Sequence, residues 1–180
     1  MRQIYDRLRR ARLFRDLRGA AAVEFALLAP VLITMFFIAS EGANILLAAN
    51  KTQSAADSVA DLIAQQTSVT TASLGDIFHA GELIMAPFAP TPFGVAASSV
   101  RFDPVNGSAS VSWQQALRSP MVANATSLST GLGDKGESVI IVRAKYVYTP
   151  LFTTLITSAT VELSKTAVVR PRLRPFIPLT

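Results

Sequence analysis

Glu24 is the residue of this chain whose type and surroundings most need a chemical explanation. It is the single charged residue between Ala20 and Ala39, in a run otherwise composed of apolar and small side chains. A charge at the centre of a membrane-spanning helix costs roughly 2.5–3.5 kcal/mol on insertion scales, and less near an end, so a carboxylate kept there calls for a partner. Other residues offer weaker chemistry. Asp57 and Asp61 stand four apart on a helical pattern, the spacing of a metal or acid/base pair, yet no histidine or further carboxylate clusters with them, and a solvated helix face is the simpler reading. His79 is the only histidine, which supplies neither a metal site nor a triad. Gly131, Gly133 and Gly136 match G-x-G-x-x-G. A polar loop precedes them and a strand pattern follows, so no helix N-terminus faces a phosphate, and the glycines read as turn residues. There is no cysteine, which excludes disulfides, thiolate metal sites and a cysteine nucleophile.

The elements around Glu24 are those of a membrane protein. From Ala20 to Ala39 the run has twenty residues, about the length that crosses a hydrocarbon core. In front of it, Met1 to Gly19 holds seven arginines against Asp6 and Asp16. The rest of the chain has equal numbers of basic and acidic residues, so the whole net charge of +5 sits in the leader. The positive-inside rule then places the N-terminus in the cytoplasm and the rest of the chain outside. A nucleic-acid-binding arm is the competing explanation, but no basic folded face accompanies it, and no nucleic-acid partner is expected. The leader itself has the pattern of a short amphipathic helix over 1–18 on an anionic membrane surface.

Pro30 lacks a backbone donor and predicts a kink or local opening within the span. Beyond the span the helical pattern continues. Ile45, Ala48, Ala49, Thr52, Ala55, Ala56, Val59, Leu62, Ile63 and Gln66 form one stripe, so a single helix from Ala20 to about Gln66 would be about 70 Å long at 1.5 Å per residue. Its alanines suit close packing of helices, and bundling of several copies through these stripes would build a filament core. A polar break at 67–71 follows, then a second, shorter helix over Leu74–Met85 with Ser73 as its cap. Ala86–Gly94, with prolines 87, 90 and 92, is expected to be a loop or extended crossing.

Val100 and Phe102 alternate with polar residues, as do Ala109, Val111 and Trp113, and Asp103–Gly107 between them supplies turn chemistry for a hairpin. The segment 118–135 reads as a long surface connection. The strongest strand pattern puts Ile140, Val142, Ala144, Tyr146 and Tyr148 on one face. A bridge over 150–156 leads to a last strand with Ala159, Val161, Leu163, Ala167 and Val169. The basic, proline-punctuated tail reads as a disordered end in preference to a docking strip for a partner.

Gly19 at the foot of a basic leader, then Ala20-Ala21-Ala22-Val23-Glu24-Phe25 and the apolar run, resembles the N-terminus of TadE/TadG-like proteins, the pseudopilins of the Tad (Flp, tight adherence) pilus system. The last third, a valine-rich strand ending in tyrosines, a Pro-Leu bridge and a final strand running into Arg170-Pro171, is similar to the same family. The resemblance implies cleavage by a prepilin peptidase between Gly19 and Ala20. Glu24 and Phe25 would become the fifth and sixth mature residues and serve assembly and recognition. It also implies an inner-membrane protein with a periplasmic head, possible incorporation into an extracellular pilus, and partners among other pilins and pseudopilins, the inner-membrane assembly platform and lipid.

The expected architecture is α+β. A long N-terminal helix, membrane-spanning over 20–39 and amphipathic over 40–66, carries a head over 67–170 with a short second helix and an antiparallel sheet of about four strands. A leader over 1–19 precedes it and a tail over 171–180 follows. The expected function is that of a minor pilin or pseudopilin without enzymatic activity, cofactor or metal. A signal-anchored periplasmic binding or scaffold module is the alternative. An anchored hydrolase is disfavoured, since no catalytic constellation can be assembled.

Overall fold

Helix α1 runs unbroken from Ala20 to Ala64, 45 residues, and everything else is arranged along its second half. The structure, a computed structural model, describes residues 19–152 and 160–180. The leader helix expected over 1–18, and Ala159 of the last strand, lie outside the described residues. After α1 come α2 (Thr71–Ile84), β1 (Phe93–Phe102), β2 (Ala109–Leu117), a single turn of helix α3 (Ala125–Leu128), β3 (Ser138–Tyr148) and β4 (Val161–Val169). The four strands form one antiparallel sheet in the order β2-β1-β3-β4. This is the α+β arrangement of long helix, short helix and four-stranded sheet that the periodicities predict.

The second half of α1 lies on the β3 and β4 side of the sheet, with α2 beside it toward β2. Ala48, Thr52, Ala55, Ala56, Val59, Ala60, Ile63 and Ala64 are buried in that contact. Here the structure corrects the expected bundling of copies through this stripe. The small side chains do allow close approach, but the surface that approaches is the chain's own sheet, through Ile140, Val142, Ala144, Tyr146 and Tyr148 of β3 and Ala167 of β4. Burial of apolar area at about 25 cal/mol per Å² drives this docking, and an intramolecular partner incurs no association entropy.

Helix α2 is capped by Thr70 and not by Ser73. Thr70 Oγ1 accepts from the Ser73 N–H at 3.0 Å, and Ser73 Oγ accepts from the Thr70 N–H at 2.8 Å. Ser73 is thus the third helical residue closing a reciprocal capping box. At Gly81 the helices meet closely, since an added Cβ would lie 2.7 Å from Val59 Cγ2.

Strand β1 begins at Phe93, earlier than alternation suggests, because all residues from Phe93 to Val100 are buried. As an interior strand it is covered on both faces. Phe93, Val95 and Ala97 face the helices. Ala96, Val100 and Phe102 face a second small core with Val122, Ala125, Val139 and Ile141. The connection 118–135 is therefore more than a surface loop, since Val122 and Ala125 cover the back of the sheet. The expected hairpin is present, with a bulge opposite Ser99/Val100.

The tail also departs from the expected disordered end. Ile177 is buried, and its carbonyl accepts from Trp113 Nε1 at 2.8 Å. The Ser138 N–H donates to the Pro175 carbonyl at 2.7 Å, Val69 N–H donates to Pro178 O, and Thr180 N–H donates to Val69 O. Arg101 stacks its guanidinium on Phe176, 4.1 Å from the ring centroid. The prolines hold the tail extended, and it straps the head.

Candidate functional site

The apolar half of α1 starts at Ala20 with Gly19 in the N-cap position, where glycine offers no side-chain cap. Glu24 is exposed on this helix, as are its neighbours Val23 and Phe25. The 18-residue window that qualifies this helix as a candidate span has a mean hydropathy of 2.2, and none of it is buried. Phe25, Leu27, Met35 and Phe36 are each more than 60% exposed, which in water would be a large uncovered apolar surface. The helix continues through Pro30, whose carbonyl accepts a hydrogen bond from Thr34 Oγ1 at 2.8 Å. Gly19, Ala20, Glu24, Phe25 and Pro30 thus share a helical segment and are all exposed among the described residues.

A second carboxylate behaves in the opposite way. Glu41, two residues past the end of the apolar run, is completely buried. Its Oε1 accepts from Tyr148 Oη at 2.5 Å, and its Oε2 accepts from the N–H groups of Leu151 at 3.1 Å and Phe152 at 3.3 Å. A buried carboxylate without donors is costly, and three donors answer that cost here. Burial, helped by the hydrogen bond and the charge of Glu41, pushes the Tyr148 hydroxyl up to about 12. One turn earlier on α1, the Phe37 ring lies against Phe152 with centroids 4.5 Å apart. The residue pattern alone assigns Glu41 no role. The pairing with Tyr148 crosses 107 residues, and the one available signal was a carboxylate at the boundary of an apolar run. Beside this node lies a cavity of about 430 Å³, lined by Asn44, Phe88, Tyr146, Tyr148 and Leu151 among others.

The remaining candidates are structural. Asp61 pairs with Arg172 and so ties the tail to α1, while Asp57 accepts from Gln53 Nε2 at 3.0 Å. His79 Nδ1 lies 2.8 Å from Glu82, which also pairs with Arg118. Among the described residues no group of three or more His, Cys, Asp or Glu is placed to hold a metal. Gly131 and Gly136 have positive φ, of 75° and 84°, as turn residues do, and an added Cβ on Gly133 would strike the Phe102 ring at 2.3 Å. A groove of about 550 Å³ runs between 135–138 and 170–175. Four cations line it: Lys135, Arg170 and Arg172, engaged by Val105 O, Glu137 and Asp61 respectively, and Arg174.

The family model described as "TadE-like protein" matches residues 19–61. No curated protein and no solved structure matches the chain. The match begins at Gly19, takes in Ala20, Glu24, Phe25, Pro30 and Glu41, and ends where α1 is fully docked on the sheet. The likeness read from the glycine, the carboxylate, the aromatic and the apolar run is thus that of the family model, over the long helix.

Proposed function

We propose that this chain, TadE-like over residues 19–61, is a minor pilin or pseudopilin that takes part in initiating or building a Tad-type pilus. In this reading a prepilin peptidase cuts between Gly19 and Ala20, and the freed amine of Ala20 on one subunit pairs with Glu24 of a neighbour in apolar surroundings. There an ion pair is weakly screened and a lone charge is costly. The protein sits in the inner membrane with its N-terminus cytoplasmic and its head periplasmic, and is no enzyme. Its partners are the peptidase, other pilins or pseudopilins and the assembly platform. The observation that carries the proposal is the division of α1. Its second half is used up by the chain's own head, while its first half presents an exposed carboxylate on an apolar surface that, among the described residues, is left unburied.

Contacts between subunits then run through the membrane half of α1, since the alanine stripe beyond it is occupied. N-terminal sequencing of the membrane-extracted protein from its native host tests the reading directly. The expected sequence starts at Ala20, and an intact Met1 on the whole population overturns it in favour of a signal-anchored binding or scaffold module. Gly19→Leu should leave the precursor uncut, visible as an unshifted band. Glu24→Ala should insert normally and fail to support piliation, and full piliation in that variant removes the role given to the carboxylate.

A further inference from the structure

We infer that the turn Pro150–Phe152 is a second membrane contact, through which the head rests on the lipid surface beside its own helix. The inference rests on 20–39 being a membrane span. Phe37 is two residues short of the end of the apolar run, about 3 Å along the helix axis. The Phe152 ring packs against Phe37, and so lies alongside the apolar run itself, at the boundary between acyl chains and headgroups. Leu151, next to it, is 73% exposed, a large apolar side chain presented outward beside the apolar run.

The turn is also held in place. Both of its N–H groups at Leu151 and Phe152 are bound by Glu41, and Glu41 is bound by Tyr148 at the end of β3. The node satisfies the backbone donors that would otherwise be desolvated on entering lipid. It also joins the span, the turn and the sheet into one unit, so the head keeps a set orientation to the bilayer. Behind the turn, Tyr146 and Tyr148, with Phe88 against both rings, form a largely buried aromatic cluster that backs it. The occupant proposed for the exposed face of the turn is lipid, because the face is continuous with a surface already committed to lipid.

The chain has no cysteine, so single-cysteine variants of the full-length protein report one position each. Leu151→Cys, Phe36→Cys and Val105→Cys would be labelled with a polarity-sensitive fluorophore. They would then be reconstituted in phosphatidylethanolamine/phosphatidylglycerol vesicles with brominated acyl chains. Residue 36 lies in the span, and Val105, 81% exposed, tips the β1–β2 hairpin. The expected result is blue-shifted emission and bromine quenching at 36 and 151, and neither at 105. Water-like emission at 151 with a lipid-like signal at 36 overturns the second contact and leaves the span intact. Water-like emission at both sinks the membrane reading with it. Blue-shifted emission at 151 without quenching points to a protein cover and overturns the lipid assignment. In a Glu41→Ala background the signal at 151 should lose its blue shift while that at 36 stays. Retention of the shift shows that the carboxylate does not seat the turn.

Discussion

The two halves of α1 have similar helical sequences and opposite fates. Ile33 and Ile63 are the same residue type on the same helix, yet Ile33 is 54% exposed and Ile63 is 0% exposed. Glu24 and Glu41 make the same contrast in charge. One is exposed in the segment that matches the TadE-like family model, and the other is buried under three donors where helix and head join. The difference teaches that a continuous helix need not be one functional unit. The half that the sheet covers contributes to the fold, and the half left bare is the part that the proposed function assigns to lipid and to other subunits.

Substitutions that treat the halves alike should therefore give unlike results. The largest effect is expected for Ile63→Ala, which removes a fully buried side chain between helix and sheet. It should lower the head's unfolding free energy by about 2–5 kcal/mol, measured by denaturant unfolding of the detergent-solubilised full chain. A value under about 1 kcal/mol would break the contrast.

Tyr148→Phe comes next. It removes a hydrogen bond to a buried carboxylate and should cost about 1.5–3 kcal/mol at neutral pH. The same substitution should change the alkaline limb of stability. Folding raises the Tyr148 pKa from its ordinary 10.0 to about 12, so the native state holds the proton more tightly than the unfolded chain. That contribution is fully present below pH 10 and is lost as pH rises to about 12. In the Phe variant the fall in stability across this window should be shallower, and identical slopes in the two proteins would rule the linkage out.

Gly81→Ala probes the seam between the docked half of α1 and α2. The new methyl meets Val59 Cγ2 at 2.7 Å, an overpacking cost of about 1–3 kcal/mol, against a helix-propensity gain of about 1 kcal/mol. A net loss of about 1 kcal/mol is expected, and a net gain would mean that Val59 yields freely. The smallest effect belongs to the bare half, where Ile33→Ala should leave head unfolding within about 0.5 kcal/mol of the parent. A larger loss there would mean that the span supports the head after all.

Much of this was legible in the residues because it is local. Glu24 in an uncharged run, the charge asymmetry around it, and the period-two faces of β3 and β4 each depend on neighbours a few positions away. The turn role of Gly131 and Gly136 was legible for the same reason. The burial of both faces of β1 was not, since it depends on β1 lying inside the sheet and on Val122 and Ala125 closing its back. The tail was misread because a proline-rich basic strip has no periodicity, and its anchors, Trp113, Val69 and Asp61, lie far away in the chain.

The amino-acid sequence by itself determined that there is a long helix, that half of it suits a bilayer, and that one carboxylate sits within that half. Hydropathy, charge and helical period are properties of contiguous residues and need no fold to be read. Tertiary structure alone decided what covers the alanine stripe and what holds Glu41. Those outcomes rest on side chains brought together across the chain, where burial of apolar area and the pairing of a desolvated charge depend on geometry that no local pattern encodes.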